Sequence, residues 1–269
     1  MTGQDPAAEQ YIELLKRALT NELYHEHEVW PVKQNNALRR QLVKLADRFG
    51  MRLTTSRNLD PEDRTSGRVM APMAHTSVGR KRLDHLHACI SEIIEKKVPG
   101  DLIETGVWRG GAVIFMRGVL NAYGDTRTVW AADSFEGLPA PDSKHPKDAG
   151  AKWHLRPELA VSLEQVKEYA RRYDLLEGVE FLKGWFKDTL PGAPIEKLAL
   201  ARLDGDMYGS TMDALTALYD RVSPNGFLIV DDYFGVSACK AAVDDFRLER
   251  GIAERIDQVD WTCAFWQKR

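Results

Sequence analysis

Cysteine is scarce in this chain. Of 269 residues only three are cysteine, Cys89, Cys239 and Cys263, and they stand far apart. None belongs to a CxxC pair or a His/Cys cluster, which argues against a disulfide framework and against a zinc site. Long apolar runs are missing too: no stretch approaches the ~18 residues that suggest a membrane span. Met1 to Glu9 is polar and holds no apolar core of the kind a secretory leader carries. There is no large excess of either charge, since 37 Lys and Arg against 40 Asp and Glu leave a net −3. That balance gives no overall basic footprint for nucleic acid, although it leaves room for a local patch. No internal repeat or low-complexity tract interrupts the sequence. What remains is the expectation of a cytoplasmic globular protein with reduced cysteines partly in its core.

Apolar residues make up 43 %, enough for a substantial core. The length fits one large α/β domain with a helical appendage. Residues 1–99 read as helical. Tyr11, Leu14, Leu15 and Leu19 fall at helical spacing, residues 36–49 are basic and amphipathic, and residues 54–67 look like a loop. A long helix is expected over 78–97, with Leu83, Leu86, Ile90 and Ile94 as its buried stripe, stopped by Val98-Pro99-Gly100. From residue 100 to 269 the pattern becomes strand, helix, strand. Strands are expected at 101–106, 128–133, 179–182, 198–203, 227–230, 256–259 and 263–266. Helices are expected at 112–122, 163–173, 211–221 and 237–250, with a long polar loop at 137–157. Such alternation implies a Rossmann-like, mostly parallel seven-stranded sheet with helices on both faces. Ligands of such sheets bind beyond the carboxyl ends of the strands, at the switch in strand order.

Those strand ends hold the unusual residues. The first ends in Glu104-Thr105-Gly106-Val107-Trp108-Arg109-Gly110-Gly111. Its glycines allow close backbone approach, and Glu104 suits an ammonium group, as an adenosyl cofactor would need. An ordinary tight turn would use the same glycines. Their spacing is not GxGxxG, which weakens a dinucleotide reading. The second strand ends in Asp133-Ser134, and a carboxylate there is placed to accept from two ribose hydroxyls, with helix capping as the alternative. The third leads into Gly184-Trp185-Phe186, aromatic rings that suit an adenine or, equally, core packing.

The acidic constellation is the most informative. One strand ends in Asp204-Gly205-Asp206 and the next in Asp231-Asp232. Asp204, Asp231 and Asp232 would gather at one sheet edge, where ionised carboxylates repel unless a cation lies among them. Oxygen-only ligands favour Mg²⁺, Mn²⁺ or Ca²⁺ over zinc. Separate capping roles for each aspartate are the plainer alternative.

ETGVWRGG (104–111), ADSFEG (132–137), GWFKDTLP (184–191), LDGDMYGSTMD (203–213) and GFLIVDDY (226–233) resemble the macrocin O-methyltransferase family, as does MAHTSVGRKRLDHL (73–86). The resemblance runs from about Met73 to the C-terminus, and residues 29–67 find no firm counterpart. It implies transfer of a methyl group from S-adenosylmethionine to a deoxysugar hydroxyl, with Mg²⁺, during antibiotic biosynthesis. It implies that Asp204, Asp231 and Asp232 bind Mg²⁺ and that Asp206 is the general base. Cofactor contacts would come from Thr76, Ser77, Glu104, Thr105, Gly106, Val107, Trp108, Asp133, Ser134, Ser162, Gly184, Trp185, Phe186 and Asp204. The implied partner is a small nucleotide-sugar or glycosylated substrate, with no nucleic acid and no membrane, and the implied assembly is a homo-oligomer. A catechol-type O-methyltransferase, an NAD-dependent oxidoreductase and a non-catalytic binder that kept the fold are the competing readings. His145 and His154, in the long loop, are candidate substrate contacts or simply solvated.

Overall fold

A computed structural model describes residues 5–24, 28–57 and 59–269. Of the polar opening stretch, only Asp5 onward lies within the described residues. The chain starts with α1 (Pro6–Leu19), β1 (Val29–Pro31), α2 (Ala37–Arg48), β2 (Thr54–Ser56), α3 (Pro61–Ser66) and α4 (Arg80–Glu95). The alternating region follows with β3 (Asp101–Thr105), α5 (Gly111–Ala122), β4 (Val129–Asp133), α6 (Leu163–Arg172), β5 (Val179–Lys183) and α7 (Phe186–Thr189). It ends with β6 (Leu198–Leu203), α8 (Tyr208–Leu218), β7 (Val222–Val230), α9 (Ser237–Glu249), β8 (Asp257–Gln258) and β9 (Ala264–Gln267).

Seven strands form one sheet in the order β5-β4-β3-β6-β7-β9-β8. Strands β3 to β7 run parallel, and β9 is antiparallel to both β7 and β8. The interior strands are short and apolar because both of their faces are covered; all six residues of β6 are buried. The chain steps outward from β3 to β4 and β5, then returns to β6 on the other side of β3. The order therefore reverses between β3 and β6, which opens a crevice at their carboxyl ends.

Two apolar layers sandwich the sheet. One joins α1, α4 and α5 to residues such as Leu102, Ala131 and Leu200; the other joins α8 and α9 to Ile103, Ala201 and Leu228. The expected sheet and its order of elements are borne out. Three details differ. Helix α1 buries Ile12, Leu15 and Leu19, while Tyr11 and Leu14 are exposed, because its packing face runs through positions 8, 12, 15 and 19. In α4 the stripe closes on Ile93 rather than Ile94. Residues 54–67, expected as a loop, hold β2 and α3. The signals there are local: Asp60 caps α3, Pro61 opens it and Gly67 ends it at φ +64°. A single turn and a half is too short for periodicity to register.

β1 pairs antiparallel with β2, and α2 lies between them in sequence. The base of this arm is held by Glu28, fully buried, which accepts from Arg64, Asn21 and the Met73 N–H. Helix α2 buries only Ala46, so its apolar stripe of Leu38, Leu42 and Leu45, continued by Phe49, faces outward. Among the described residues, no helix is long and apolar enough to cross a membrane.

Candidate active site

Beyond the carboxyl ends of β3, β4, β5, β6 and β7 lies a cavity of about 590 Å³. Three non-glycine residues there take left-handed backbone: Trp108 after β3 (φ +47°), Phe135 after β4 (φ +59°) and Asp206 after β6 (φ +55°). Strained backbone of this kind persists only where its surroundings hold it, and it gathers at functional sites. Gly106 explains the closeness of β3 and β6. Its φ is +88°, and a Cβ on it would fall 1.8 Å from the Asp204 carbonyl oxygen.

The acidic strand ends meet as their sequence suggests, with one rearrangement. The carboxylate oxygens that converge, all within 4.8 Å of one another, belong to Asp204, Asp206 and Asp232. Asp231 lines the same cavity, but both its oxygens already accept from guanidinium groups. Arg82 donates to one at 2.5 Å, and Arg202 donates to the other. Arg202 also reaches Glu104 at 2.5 Å and Asp204 at 2.9 Å, and Arg82 pairs with Asp260 at 3.1 Å. Asp231 would reach a cation only by giving up one of these partners.

Burial and crowding set the charges. Burial would raise Asp231, but Arg202 and Arg82 hold it below the ordinary carboxylate range. Among the described residues no guanidinium donates to Asp206; burial, then repulsion from Asp204 and Asp231, push it up to about 7, against a smaller opposing pull from Arg156. Burial, then Asp206 and Asp204, push Asp232 well above its usual range, and Asp204 is raised by burial and Asp231. Burial lifts Glu104 to about 8 despite Arg202. Asp232 Oδ2 and Glu104 Oε2 are buried and have no hydrogen-bond partner among the described residues. Carboxylates this crowded, with an acceptor oxygen left over, are short of positive charge. Asp204, Asp206 and Asp232 therefore fit a hard divalent cation. Glu104 likewise fits the ammonium end of an amino-acid-bearing cofactor.

Ser77, Gly106, Trp108, Asp133, Ser134, Gly184, Trp185 and Phe186 also line the cavity. The Asp133 carboxylate is already engaged by backbone. It accepts from Phe135 N–H at 2.6 Å, Val107 N–H at 2.7 Å and Trp108 N–H at 3.3 Å, so it ties the turns after β3 and β4 together. Thr76, Glu104, Thr105, Val107 and Ser162 do not line the cavity. Thr76 Oγ1 accepts from Val78 N–H, and Ser162 caps α6 in a capping box with Gln165. Thr105 and Val107 are buried in the strand end. His145 lines the cavity, whereas His154 is exposed and does not.

The residues that sequence reasoning passes over are cations. Arg202 carried its own signal: a charged residue inside the apolar strand LALARL must find buried partners. Arg82 carried none, because its partners come from the far end of the chain.

A family model described as macrocin O-methyltransferase (TylF) matches residues 8–268. The chain is 45 % identical over 267 residues to the 8-demethyl-8-(2,3-dimethoxy-α-L-rhamnosyl)-tetracenomycin-C 4′-O-methyltransferase of Streptomyces olivaceus, covering 98 % of this chain and 94 % of that one. It is 43 % identical over 266 residues to the mycinamicin III 3″-O-methyltransferase of Micromonospora griseorubida, covering 97 % and 96 %. The solved structure of the O-methyltransferase NovP superposes with a TM-score of 0.84 at 42 % identity, over 97 % of this chain and 99 % of that one. The chain belongs to the macrocin O-methyltransferase family and is an S-adenosylmethionine-dependent O-methyltransferase with the class I fold.

Proposed function

We propose that this enzyme methylates a hydroxyl of a deoxysugar, carried on a nucleotide or on a glycosylated natural product, in antibiotic biosynthesis, and that it uses Mg²⁺. The observation that carries the reading is the convergence of Asp204, Asp206 and Asp232 in the cavity bounded by the β3 and β4 ends. The acceptor follows the relatives, one of which is named for a rhamnosyl 4′-oxygen.

On this reading Ser77, Gly106, Trp108, Asp133, Ser134, Gly184, Trp185 and Phe186 form the cofactor cleft, and Glu104, buried behind its wall with Oε2 unpartnered among the described residues, supplies the negative charge that draws the ammonium. Thr76, Thr105, Val107 and Ser162 shape that cleft from behind its wall. Asp204 and Asp232 hold the cation. Asp231 joins them if it releases Arg82 or Arg202. When bound, S-adenosylmethionine supplies an activated methyl group and the divalent cation supplies Lewis acidity. Asp206 accepts the proton of the acceptor hydroxyl, its carboxylate converging with those of Asp204 and Asp232. The same reading carries a cytoplasmic site of action and a homo-oligomer.

The test is methyl transfer from labelled S-adenosylmethionine to a rhamnosylated acceptor, with a catechol assayed beside it, before and after chelation. Turnover of the glycoside that stops in chelator, while calorimetry still shows cofactor binding, supports the proposal. Turnover of the catechol alone, or full activity in excess chelator, refutes it.

A further inference from the structure

Helix α8 begins two residues after Asp206, and it begins without a cap of its own. Met207 occupies the cap position and offers no side-chain acceptor. The first N–H groups of a helix need acceptors from elsewhere. Here they come from the long loop. Asp148 Oδ1 accepts from Tyr208 N–H at 2.7 Å, and Asp148 Oδ2 accepts from Gly209 N–H at 3.0 Å. Asp148 is only 3 % exposed, although it sits in a 3₁₀ turn of a loop rich in polar residues.

The fit around this contact is close. A Cβ on Gly209 would come 2.7 Å from the His145 ring, so the loop can approach the helix only over a glycine. Tyr208 and Lys147 both hold Asp245 of α9, which pins the same stretch from outside. The turn leading into the helix is tight: Met207 N–H donates to the Gly205 carbonyl at 2.5 Å, and Asp206 between them is left-handed. One end of that turn is fixed by β6. The other is fixed by the start of α8, which Asp148 holds.

We propose that Asp148 is a positioning residue for methyl transfer: by capping α8 from the loop, its carboxylate sets the Gly205–Met207 turn and hence the placement of Asp206. Seating of the loop and placement of the base are then one event. The carboxylate is suited to this because a negative charge at a helix N-terminus is favourable and its two oxygens serve two donors at once. The inference rests on the reading of Asp206 as the base.

The experiment compares full-length wild type with Asp148→Ala, Asp148→Asn and Lys147→Ala. It measures hydrogen exchange with S-adenosylmethionine and Mg²⁺ present, and steady-state kinetics with a rhamnosylated acceptor. In Asp148→Ala the amides of 205–209 and of 145–149 exchange faster together, and kcat falls about 10- to 100-fold while the KM for S-adenosylmethionine holds within about twofold. Asp148→Asn, which keeps one good acceptor oxygen, recovers part of kcat and serves in place of the alanine variant if that fails to fold. Lys147→Ala frees only the exposed pin and leaves kcat unchanged. The proposal is overturned if kcat of Asp148→Ala stays within about twofold of wild type, if kcat falls without faster exchange at 205–209, or if Lys147→Ala loses as much activity. Wild type that methylates no glycosylated acceptor refutes the function proposed above; exchange at 205–209 in Asp148→Ala then decides the capping role by itself.

Discussion

Arg202, inside β6, donates to Asp231 at the end of the neighbouring strand β7, and both side chains are buried. The same guanidinium reaches Glu104 and Asp204, so one cation serves carboxylates from three adjacent strands. It is what allows those strand ends to carry acids side by side.

Arg202→Met should therefore destabilise the protein by about 3–5 kcal/mol, since it strands buried carboxylates without their partner. Urea unfolding measures this. Arg202→Lys should recover only part of the loss, because an ammonium cannot fork between carboxylates as a guanidinium does. A loss under about 1 kcal/mol would show that the network is not holding the strand ends.

Two acids should fail in different ways. Asp206→Asn should lower the methyl-transfer rate by at least ~100-fold with cofactor binding intact. Asp232→Asn should act first on the cation: its apparent affinity falls, and raising Mg²⁺ restores part of the rate. Identical behaviour of the two variants would contradict the separate roles.

The metal-free protein should lose stability as pH rises from about 6.5 to 8. Glu104 and Asp206, raised to about 8 and about 7, keep protons that the unfolded chain releases near pH 4. Their contribution is complete below that point and is lost as pH climbs through the raised values. His75 and His85 act oppositely. Burial, joined for His75 by Arg109 and Arg172, lowers both to about 4, so they cost stability only below their ordinary 6.5. The two pairs offset one another between about pH 4.5 and 6.5, and above that range only the carboxyls remain. Thermal melts in chelator should show the decline, and Mg²⁺ should lessen it by replacing protons. A Tm that stays flat from pH 6.5 to 8 in chelator would count against these shifts.

Gly106→Ala should prevent the β3 and β6 ends from closing. A methyl group 1.8 Å from a carbonyl oxygen forces backbone apart, and φ +88° is poor for alanine in any case. Loss of several kcal/mol, roughly 3 or more, is expected from thermal or urea unfolding. A variant of near-normal stability would mean that the turn relaxes freely.

Leu42→Ser should change stability by less than ~0.5 kcal/mol, because α2 buries only Ala46 and this leucine is 47 % exposed. A larger loss in the monomer would mean that Leu42 packs against the rest of its own chain.

Strand β6 is legible to the residue, because a run of buried apolar side chains bounded by Pro194 and Gly205 permits little else. The meeting of Asp204 and Asp232 is legible as well, since strand ends in a parallel sheet share one edge, but the sequence pattern puts Asp231 with them where the structure puts Asp206. What Asp231 faces is not legible. Pattern places a residue at a strand end, but its partners depend on Arg82, which arrives from a helix that precedes the sheet. Asp148 is less legible still: it reads as one polar loop residue among many, and only the fold brings it to α8. The outward stripe of α2 has the spacing of a core-facing helix, and spacing cannot say whether a face meets a core.

Arg82 also has a consequence for the order in which the molecule is completed. The ribosome releases α4 early, yet of the acids that receive this guanidinium Asp231 emerges 149 residues after Arg82, and Asp260 later still. Until they arrive the nascent chain holds a cation with nowhere dry to go. The floor of the cavity is thus assembled from segments made far apart in time, and a ribosome that stops short of Asp260 releases a chain in which Arg82 lacks that partner.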